Sequence, residues 1–264
     1  DHRDLHSFPT RRSSDLLKIY LGYAAGVGKT YKMLEDAGQL RQRGEDIVIG
    51  YFEPHGRRDT IAKTEGLELI PRRVMEYRGT QFEEMDTEAI LARRPRACVV
   101  AEYPHTNVPG SARAKRWEDV EALLAAGIDV LTTMNIQHLE SLNDQVHAVT
   151  GVRVRETIPD WVVQSADEVI MVDVTPRALL NRLERGVVYG REKAARALEN
   201  FFQESTLVAL RELALRQTAH EVEQRNTVEP EMQPRRILIV ITADPETAML
   251  IRRGRRVSDF LGAE

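Results

Sequence analysis

Short apolar runs alternate with amphipathic stretches along this chain. The apolar runs predict strands at Leu17–Gly22, Ile47–Tyr51, Ala97–Ala101, Ile128–Thr133 and Glu168–Val172. The stretches between them have helical periodicity and predict helices at Lys29–Arg43, Thr87–Arg93, Trp117–Ala126 and Ile136–Val149. Strands that alternate with helices are typical of βαβ units, so we expect an α/β fold with a mostly parallel, doubly wound sheet. Such sheets bind ligands at the carboxyl ends of their strands, and the polar residues after each run are therefore candidates for a site.

The pattern changes after Asp173. Thr175 and Pro176 are the residue types of a helix N-cap and a first helical position. A long helical stretch with few breakers is expected from about Gly190 to Gln224. Three later segments are typical of a linker, a strand and a helix: Asn226–Pro234, Arg236–Thr242 and Glu246–Leu261. One strand and one helix cannot bury a core alone, so we expect the start of a second α/β unit that is cut short.

These segments divide the chain into three parts. Residues 1–15 have neither helical nor strand periodicity and lack the apolar core of a signal peptide, so we expect a non-native or disordered leader. Residues 16–226 form the predicted main domain, which has a helical extension from about residue 175. Residues 227–264 are expected to hold the linker and the beginning of the second unit.

Composition excludes several classes of partner. The 264-residue chain has 42% hydrophobic and 30% charged residues, which is the balance of a soluble globular protein. Its net charge of −4 gives no overall basic field, so we expect no nucleic-acid partner. No apolar run approaches the roughly 18 residues that a membrane span needs, so we expect no direct membrane insertion. The single cysteine, Cys98, excludes a disulfide within the chain and favours a cytoplasmic location.

The stretch from Leu17 to Thr30 carries the most specific chemistry. A strand, a glycine-rich loop and a helix start follow one another, as in the P-loop (Walker A) of nucleotide-binding proteins, and predict a P-loop NTPase-like fold. Glycines let backbone N–H groups point at an anion, Lys29 supplies charge for the β- and γ-phosphates, and Thr30 offers a hydroxyl to Mg²⁺. The usual pattern has a glycine at position 23, which is Tyr23 here. We predict that ATP, with Mg²⁺ as an accompanying ion, binds at Gly22, Ala25, Gly26, Val27, Gly28, Lys29 and Thr30.

A second strand of a P-loop enzyme usually ends in an acid that holds Mg²⁺ through water. The best match is the run that ends in Ala101-Glu102, where only one of the two residues is acidic. Glu102 is therefore the candidate catalytic residue and an indirect Mg²⁺ contact, and the alternative is a surface acid at a strand end. Asp173 ends another strand, where a helix-entry or turn role is favoured over metal binding.

Polar side chains that follow the second, third and fourth strands complete the predicted nucleotide site. They are Glu53, His55, His105, Asn135 and Gln137. Each has a simpler alternative, because polar loop residues are often solvated, and Thr133 and Asn135 are also good helix N-caps. Lys115 and Arg116 precede a helix, where phosphate contact and a solvated face are both open interpretations.

Several longer motifs, in this order, resemble one protein family. They are Gly22–Thr30, Gly50–Arg57, Ile70–Arg73, Glu76–Gly79, His105–Asn107, Pro109–Ser111, Lys115–Trp117, Ala126–Val130, Asn135–Asp144 and Arg211–Leu215. Together they resemble the cytoplasmic N-terminal domain of KdpD-type sensor histidine kinases, a family of potassium and osmotic sensors. The resemblance runs from about Leu16 to Val222, and Arg235–Glu264 looks like the start of the universal-stress-protein-like domain that follows in that family.

The resemblance implies a cytoplasmic, ATP-binding input domain that regulates a membrane-bound kinase and phosphatase. Its partners would be ATP, the rest of the receptor and a response-regulator pathway that controls potassium uptake. We expect no phosphotransfer from this chain itself, since it shows no membrane spans, phosphoacceptor helix or kinase core. The family has Asp-Glu where this chain has Ala101-Glu102, and Leu-Ala where it has Tyr103-Pro104. The first difference weakens the expectation of tight Mg²⁺ handling and of hydrolysis.

Two other functions remain open on the sequence alone. A stand-alone P-loop ATPase or small-molecule kinase would use the same loop, but it would need an acceptor pocket and a general base, for which Glu102 is the one candidate. A cyclic-dinucleotide receptor is suggested by the stress-protein-like start, most of which is absent. We favour the ATP-binding regulatory module, with at most slow ATPase activity.

Overall fold

The computed structural model describes residues 16–186, 188, 202–226 and 247–261. The chain divides into two compact units. Of the described residues, the first takes in those up to Tyr20, Gly28–Met134 and Ser165–Ile170, and the second takes in Leu21–Val27, Asn135–Gln164 and those from Met171 onward. The predicted leader at 1–15 and the predicted strand at Arg236–Thr242 lie outside the described residues.

The strands among the described residues form a large sheet and a separate hairpin. In chain order they are β1 (Leu17–Gly22), β2 (Ile47–Tyr51), β3 (Glu68–Leu69), β4 (Arg73–Tyr77), β5 (Thr80–Glu84), β6 (Ala97–Val100), β7 (Asp129–Asn135) and β8 (Glu168–Met171). The six-stranded sheet has the order β3-β2-β6-β7-β1-β8, and β4 pairs with β5 in antiparallel fashion. Parallel pairs join β2 to β3, β2 to β6 and β6 to β7. The predicted α/β fold with a mostly parallel sheet is confirmed.

Helices and short turns connect the strands. The α-helices are α1 (Lys29–Gln42), α2 (Arg58–Ala62), α3 (Thr87–Arg93), α4 (Arg116–Ala125), α5 (Asn143–Thr150), α6 (Asp160–Gln164), α7 (Pro176–Glu184), α8 (Glu204–Asn226) and α9 (Thr247–Leu261). Two 3₁₀ turns lie at Ile136–His138 and Glu140–Leu142.

Burial explains why these segments adopt their structures. All five residues of β2 are buried, as expected for a strand that is covered on both faces of a parallel sheet. In α1 the buried side chains are Met33, Leu34 and Ala37, which share one face of the helix. The predicted start of α7 is confirmed, since Pro176 is its first residue and the Thr175 hydroxyl accepts a hydrogen bond from the Ala178 N–H.

One expectation about elements was wrong, and one element was not expected. The stretch Ile136–Val149 is two 3₁₀ turns followed by a helix, because Leu139 between the turns has extended backbone angles and bridges to Ile158. The hairpin of β4 and β5 was not predicted at all, because its strands are largely exposed and lack an apolar run. The predicted long helix from Gly190 is described only over α8, and its first part lies outside the described residues.

Candidate functional site

The loop Gly22–Thr30 runs from the end of β1 into α1. Gly26 and Gly28 have φ angles of 90° and 110°, which residues with a side chain rarely adopt. Gly28 is the N-cap of α1 and leaves the helix without a side-chain cap. The first N–H groups of a helix have no partner within the helix, and the helix dipole favours negative charge there. The backbone thus has the shape and polarity to hold an anion at the start of α1.

Lys29, the first residue of α1, lies in the first unit and is partly buried. Burial of its ammonium, together with the positive charge of Arg57, lowers the pKa of Lys29 to about 7. Arg57 precedes α2 in the loop that follows β2. A bound anion would stabilise the ammonium and raise this pKa again. The first-unit end of the loop therefore favours a negatively charged ligand.

Tyr23 explains how the chain departs from the usual glycine at this position. Its side chain is fully buried, and its hydroxyl donates to the Val174 carbonyl oxygen at 2.9 Å. Burial, together with the charge of Asp173, raises the pKa of Tyr23 to about 12. The side chain is thus a neutral packing group that ties the loop to the segment before α7, within the second unit.

The second-unit part of the loop also contacts α7. Arg182 donates from Nη1 to the carbonyl oxygens of Gly26 and Val27, both at 3.3 Å. A Cβ added to Gly26 would lie 2.6 Å from the Val188 side chain and 3.1 Å from that of Leu179. Two features therefore require glycine at position 26: its positive φ angle and the close packing of Val188 and Leu179 against it.

Glu102, the predicted catalytic acid, follows β6 with a φ of 60°, an uncommon angle for a residue other than glycine. Its N–H donates to Thr133 Oγ1 at 3.1 Å. Its carboxylate lies 3.5 Å from His55 Nε2 and 3.7 Å from Arg116 Nη1. His55 first, and then Arg116, lowers the pKa of Glu102 against the effect of burial. The structure thus brings two predicted site residues together, Glu102 and His55, and keeps the acid ionised.

Arg116 is fully buried, so the interpretation as a solvated face was wrong, and a contact with phosphate stays a prediction. Its Nη2 lies 3.0 Å from Glu84 Oε2, and its Nη1 donates to the Ala101 carbonyl oxygen at 3.3 Å. Its guanidinium also stacks 3.6 Å from the centre of the Tyr51 ring. A charge is retained in a protein interior only with such partners, because its desolvation is costly.

Glu84, at the end of β5, is the shared partner of Arg116, Val108 and His105. It accepts a hydrogen bond from the Val108 N–H at 3.0 Å, and His105 Nε2 lies 3.0 Å from its carboxylate. Burial alone would raise the pKa of Glu84, but His105 and Arg116 lower it. The imidazole of His105, a predicted ligand residue, therefore contacts the carboxylate of Glu84. A contact between His105 and phosphate stays a prediction.

Glu53, another predicted ligand residue, is paired with an arginine. Arg72 Nη1 lies 3.1 Å from Glu53 Oε2 and 3.2 Å from Glu83 Oε2. The Arg72 guanidinium also stacks 4.8 Å from the centre of the Tyr51 ring. Arg72 thus links the loop after β2 to the hairpin strand β5.

The expected capping roles of Thr133 and Asn135 were wrong. The Thr133 hydroxyl accepts a hydrogen bond from the N–H of Glu102, and Asn135 precedes a 3₁₀ turn without capping it. Among the described residues, Asn135 Oδ1 and Gln137 Oε1 are buried acceptors with no hydrogen-bond partner. A ligand with suitable donors would relieve the cost of leaving them unpaired.

Asp173 forms an ion pair with α8, and a helix-entry or turn role for it stays a prediction. Arg211 of α8 donates from Nε to the Asp173 carboxylate at 2.8 Å and 3.0 Å. No group of three or more His, Cys, Asp or Glu side chains within the described ranges is arranged to hold a metal ion. Likewise, no described helix combines the length and apolar character that crossing a membrane requires.

Sequence reasoning missed two arginines, Arg72 and Arg182, and did not predict the buried contacts of Arg116. Arginine is usually solvated, and nothing in their spacing indicated that each would contact a strand end or the loop. The one available signal was their position, since Arg72 and Arg116 lie within motifs that the family resemblance had already marked.

Comparison with known proteins identifies the family of these motifs. Residues 13–222 match the model of the KdpD osmosensitive K⁺ channel His kinase sensor domain. A putative sensor protein KdpD from Synechocystis is 50% identical over 254 residues, which are 95% of this chain and 68% of that protein. The sensor protein KdpD of Escherichia coli K12 is 47% identical over 255 residues, covering 94% of this chain and 28% of that protein. The Mycobacterium tuberculosis sensor protein KdpD is 46% identical over 257 residues, covering 94% and 30%.

Proposed function

The chain belongs to the KdpD family of osmosensitive K⁺ channel His kinase sensor domains, and on that premise we propose that it is an ATP-binding input module. The observation that carries the proposal is the loop Gly22–Thr30. It combines two glycines at positive φ, a helix start without a side-chain cap, and Lys29 with a lowered pKa. These features suit the β- and γ-phosphates of a nucleotide.

ATP acts in this proposal as a regulatory ligand and not as a phosphate donor to this chain. The module would lie on the cytoplasmic side of a KdpD-type receptor and report nucleotide to its kinase and phosphatase parts. Those parts would in turn act on potassium uptake through a response regulator. The chain spans 28% and 30% of the length of the Escherichia coli and Mycobacterium tuberculosis relatives.

Mg²⁺ would accompany ATP and supply charge neutralisation at the phosphates. Thr30 would reach the ion directly, and Glu102 would reach it through water. Ala101 is buried and offers no carboxylate, so a tightly held Mg²⁺ is not expected. Turnover of ATP should accordingly be slow.

The test is the substitution Lys29→Ala, measured by calorimetric titration with ATP. A charge-assisted contact contributes roughly 1.5–3 kcal/mol, so the dissociation constant should rise by about tenfold to a hundredfold. Lys32→Ala is the matched control, because Lys32 lies one turn along the same helix and pairs with Glu35 and Asp36. Equal affinities for wild type and Lys29→Ala would overturn the proposal.

A further inference from the structure

We propose that Arg182, on α7, positions the backbone of the loop Gly22–Thr30 for the phosphates of ATP. The inference rests on the proposed function, because it concerns how that same loop binds its ligand. Arg182 lies 155 residues beyond Val27 in the chain and belongs to no phosphate-loop pattern. Its hydrogen bonds to the loop nevertheless orient the backbone N–H groups that an anion would contact.

The geometry of the peptide bond connects these contacts to anion binding. Arg182 Nη1 donates to the carbonyl oxygens of Gly26 and Val27 at 3.3 Å each. In a planar trans peptide the carbonyl and the following N–H point in opposite directions. With both carbonyls turned toward Arg182, the N–H groups of Val27 and Gly28 are turned away from it. That is the side on which a phosphate would find its donors.

Packing reinforces the hydrogen bonds. Gly26 lies so close to Leu179 and Val188 that a Cβ there would overlap the Val188 side chain at 2.6 Å. Leu179 and Arg182 lie three residues apart on α7, so they share one face of that helix. The same helix face therefore supplies both the apolar surface and the donor that shape the loop.

The helix itself is well anchored, which a positioning role requires. The Thr175 hydroxyl caps its first turn by accepting from the Ala178 N–H. Just before the helix, the Val174 carbonyl accepts from the Tyr23 hydroxyl. The loop is thus joined to the segment before α7 through Tyr23 and to the last turn of α7 through Arg182.

Electrostatics favours the same role. Among the residues that the structure describes, no carboxylate forms an ion pair with Arg182. Its positive charge therefore adds to the positive potential at Gly26 and Val27, the loop residues that it contacts. An arginine placed only to stabilise the fold would gain more from a carboxylate partner.

The experiment compares Arg182→Met, Arg182→Lys and Arg177→Met with wild type. Methionine keeps much of the apolar length of arginine but has no donor, and lysine keeps one charged donor group. Arg177 is exposed on the same helix, so its substitution removes the same charge without touching the loop. Titration with ATP and with inorganic triphosphate gives the dissociation constants, and hydrogen exchange of the nucleotide-free proteins reports on the amides of Val27 and Gly28.

Arg182→Met should raise the dissociation constants of ATP and inorganic triphosphate by the same factor, roughly tenfold or more. Arg182→Lys should recover part of this loss, and Arg177→Met should stay within about twofold of wild type. The Val27 and Gly28 amides should exchange faster in Arg182→Met without any nucleotide. A purely structural role would lower thermal stability in both Arg182 variants and leave these ligand and amide differences absent.

Unchanged affinity and unchanged amide exchange in a folded Arg182→Met would overturn the inference. If Arg182→Met does not fold, Arg182→Lys decides, because it lacks the planar guanidinium of arginine. Wild-type affinity and wild-type amide exchange in Arg182→Lys would then overturn the inference. Failure of wild type to bind either ligand would overturn the proposed function. The exchange comparison would still decide the role of Arg182 in that case, because it needs no ligand.

Discussion

At the scale of single residues, Lys29 gives the loop a dependence on pH. Its pKa of about 7 means that roughly half of the free protein carries a neutral amine at neutral pH. Contact with phosphate requires the charged form. Binding near and above pH 7 should therefore take up a proton at Lys29, and the free energy of binding should depend on pH.

We expect the affinity for metal-free ATP to fall as pH rises from 6 to 8.5. The sign follows from the direction of the shift: the free protein loses the Lys29 proton above pH 7, whereas the complex keeps it. Calorimetry at several pH values, in buffers of different ionisation enthalpy, measures both the affinity and the proton uptake. Lys29→Arg is the control, since its guanidinium stays charged and only the ionisation of ATP itself remains. Identical pH profiles for the two proteins would contradict the prediction.

At the scale of elements, the hairpin of β4 and β5 is fastened by the buried pair of Glu84 and Arg116. The two side chains are 7% and 0% exposed, and the contact is 3.0 Å. A buried ion pair adds little stability compared with apolar side chains in place of both partners. Removal of one partner is costly, because the other charge then stays buried without its partner. The pair therefore fixes the hairpin more firmly than its exposed strands could by themselves.

Arg116→Met should lower the free energy of unfolding by about 3–5 kcal/mol, the usual cost of breaking a buried ion pair. Urea denaturation followed by circular dichroism measures the loss. Arg96→Met is the matched control, because Arg96 pairs with Asp129 at 3.1 Å but is 49% exposed, and its loss should stay within about 1 kcal/mol. Similar losses for the two variants would show that the Glu84 contact is no stronger than a surface pair.

The sequence predicts the apolar elements of this fold better than the polar ones. Strands β1 and β2 have the predicted bounds, because a continuous apolar run between two turns defines where a strand begins and ends. The hairpin escaped prediction because its turn uses Arg78 and Gly79, both at positive φ, where the usual signal is Asn-Gly or Asp-Gly. Local pattern cannot reveal such a turn when arginine takes the first position.

The candidate site was predictable where a local motif defines it. Lys29 and the glycines of the loop follow from spacing alone, whereas Arg182 meets Gly26 only through the fold, across 156 positions of the chain. Glu102 and His55 were predicted separately, and their contact at 3.5 Å depends on the parallel pairing of β2 with β6. Residues brought together by tertiary structure carry no spacing signal in a single sequence.

At the scale of the whole molecule, the loop is connected to the long helix α8 within the second unit. Tyr23 donates to the carbonyl of Val174, and the neighbouring Asp173 accepts from Arg211 of α8. A ligand that orders the loop should therefore also restrict α8. Such a connection is what a regulatory module needs in order to report its nucleotide to another part of a receptor.

ATP should slow amide hydrogen exchange in three places: the loop Gly22–Thr30, the strand-end segments Tyr103–Lys115 and Thr132–His138, and helix α8. The first would be protected by direct contact and the others by restricted motion. Exchange mass spectrometry with and without ATP makes the comparison, and Lys29→Ala with ATP serves as the control that should show no protection. Protection limited to the loop would leave binding intact and remove the support for a regulatory role.

The long separation between the loop and its supports also has a consequence for how the chain folds. The contacts of Tyr23 and Gly26 with Val174 and Arg182 close chain segments of 151 and 156 residues. Closing chain segments of this length costs conformational entropy. The contacts that offset this cost form only when Val174 and Arg182 pack against the loop. During synthesis the loop is made 156 residues before Arg182, and it acquires its final shape only after α7 has left the ribosome. The ability to hold a phosphate would then appear only after α7 has formed, and a nascent chain that lacks α7 would not compete for nucleotide.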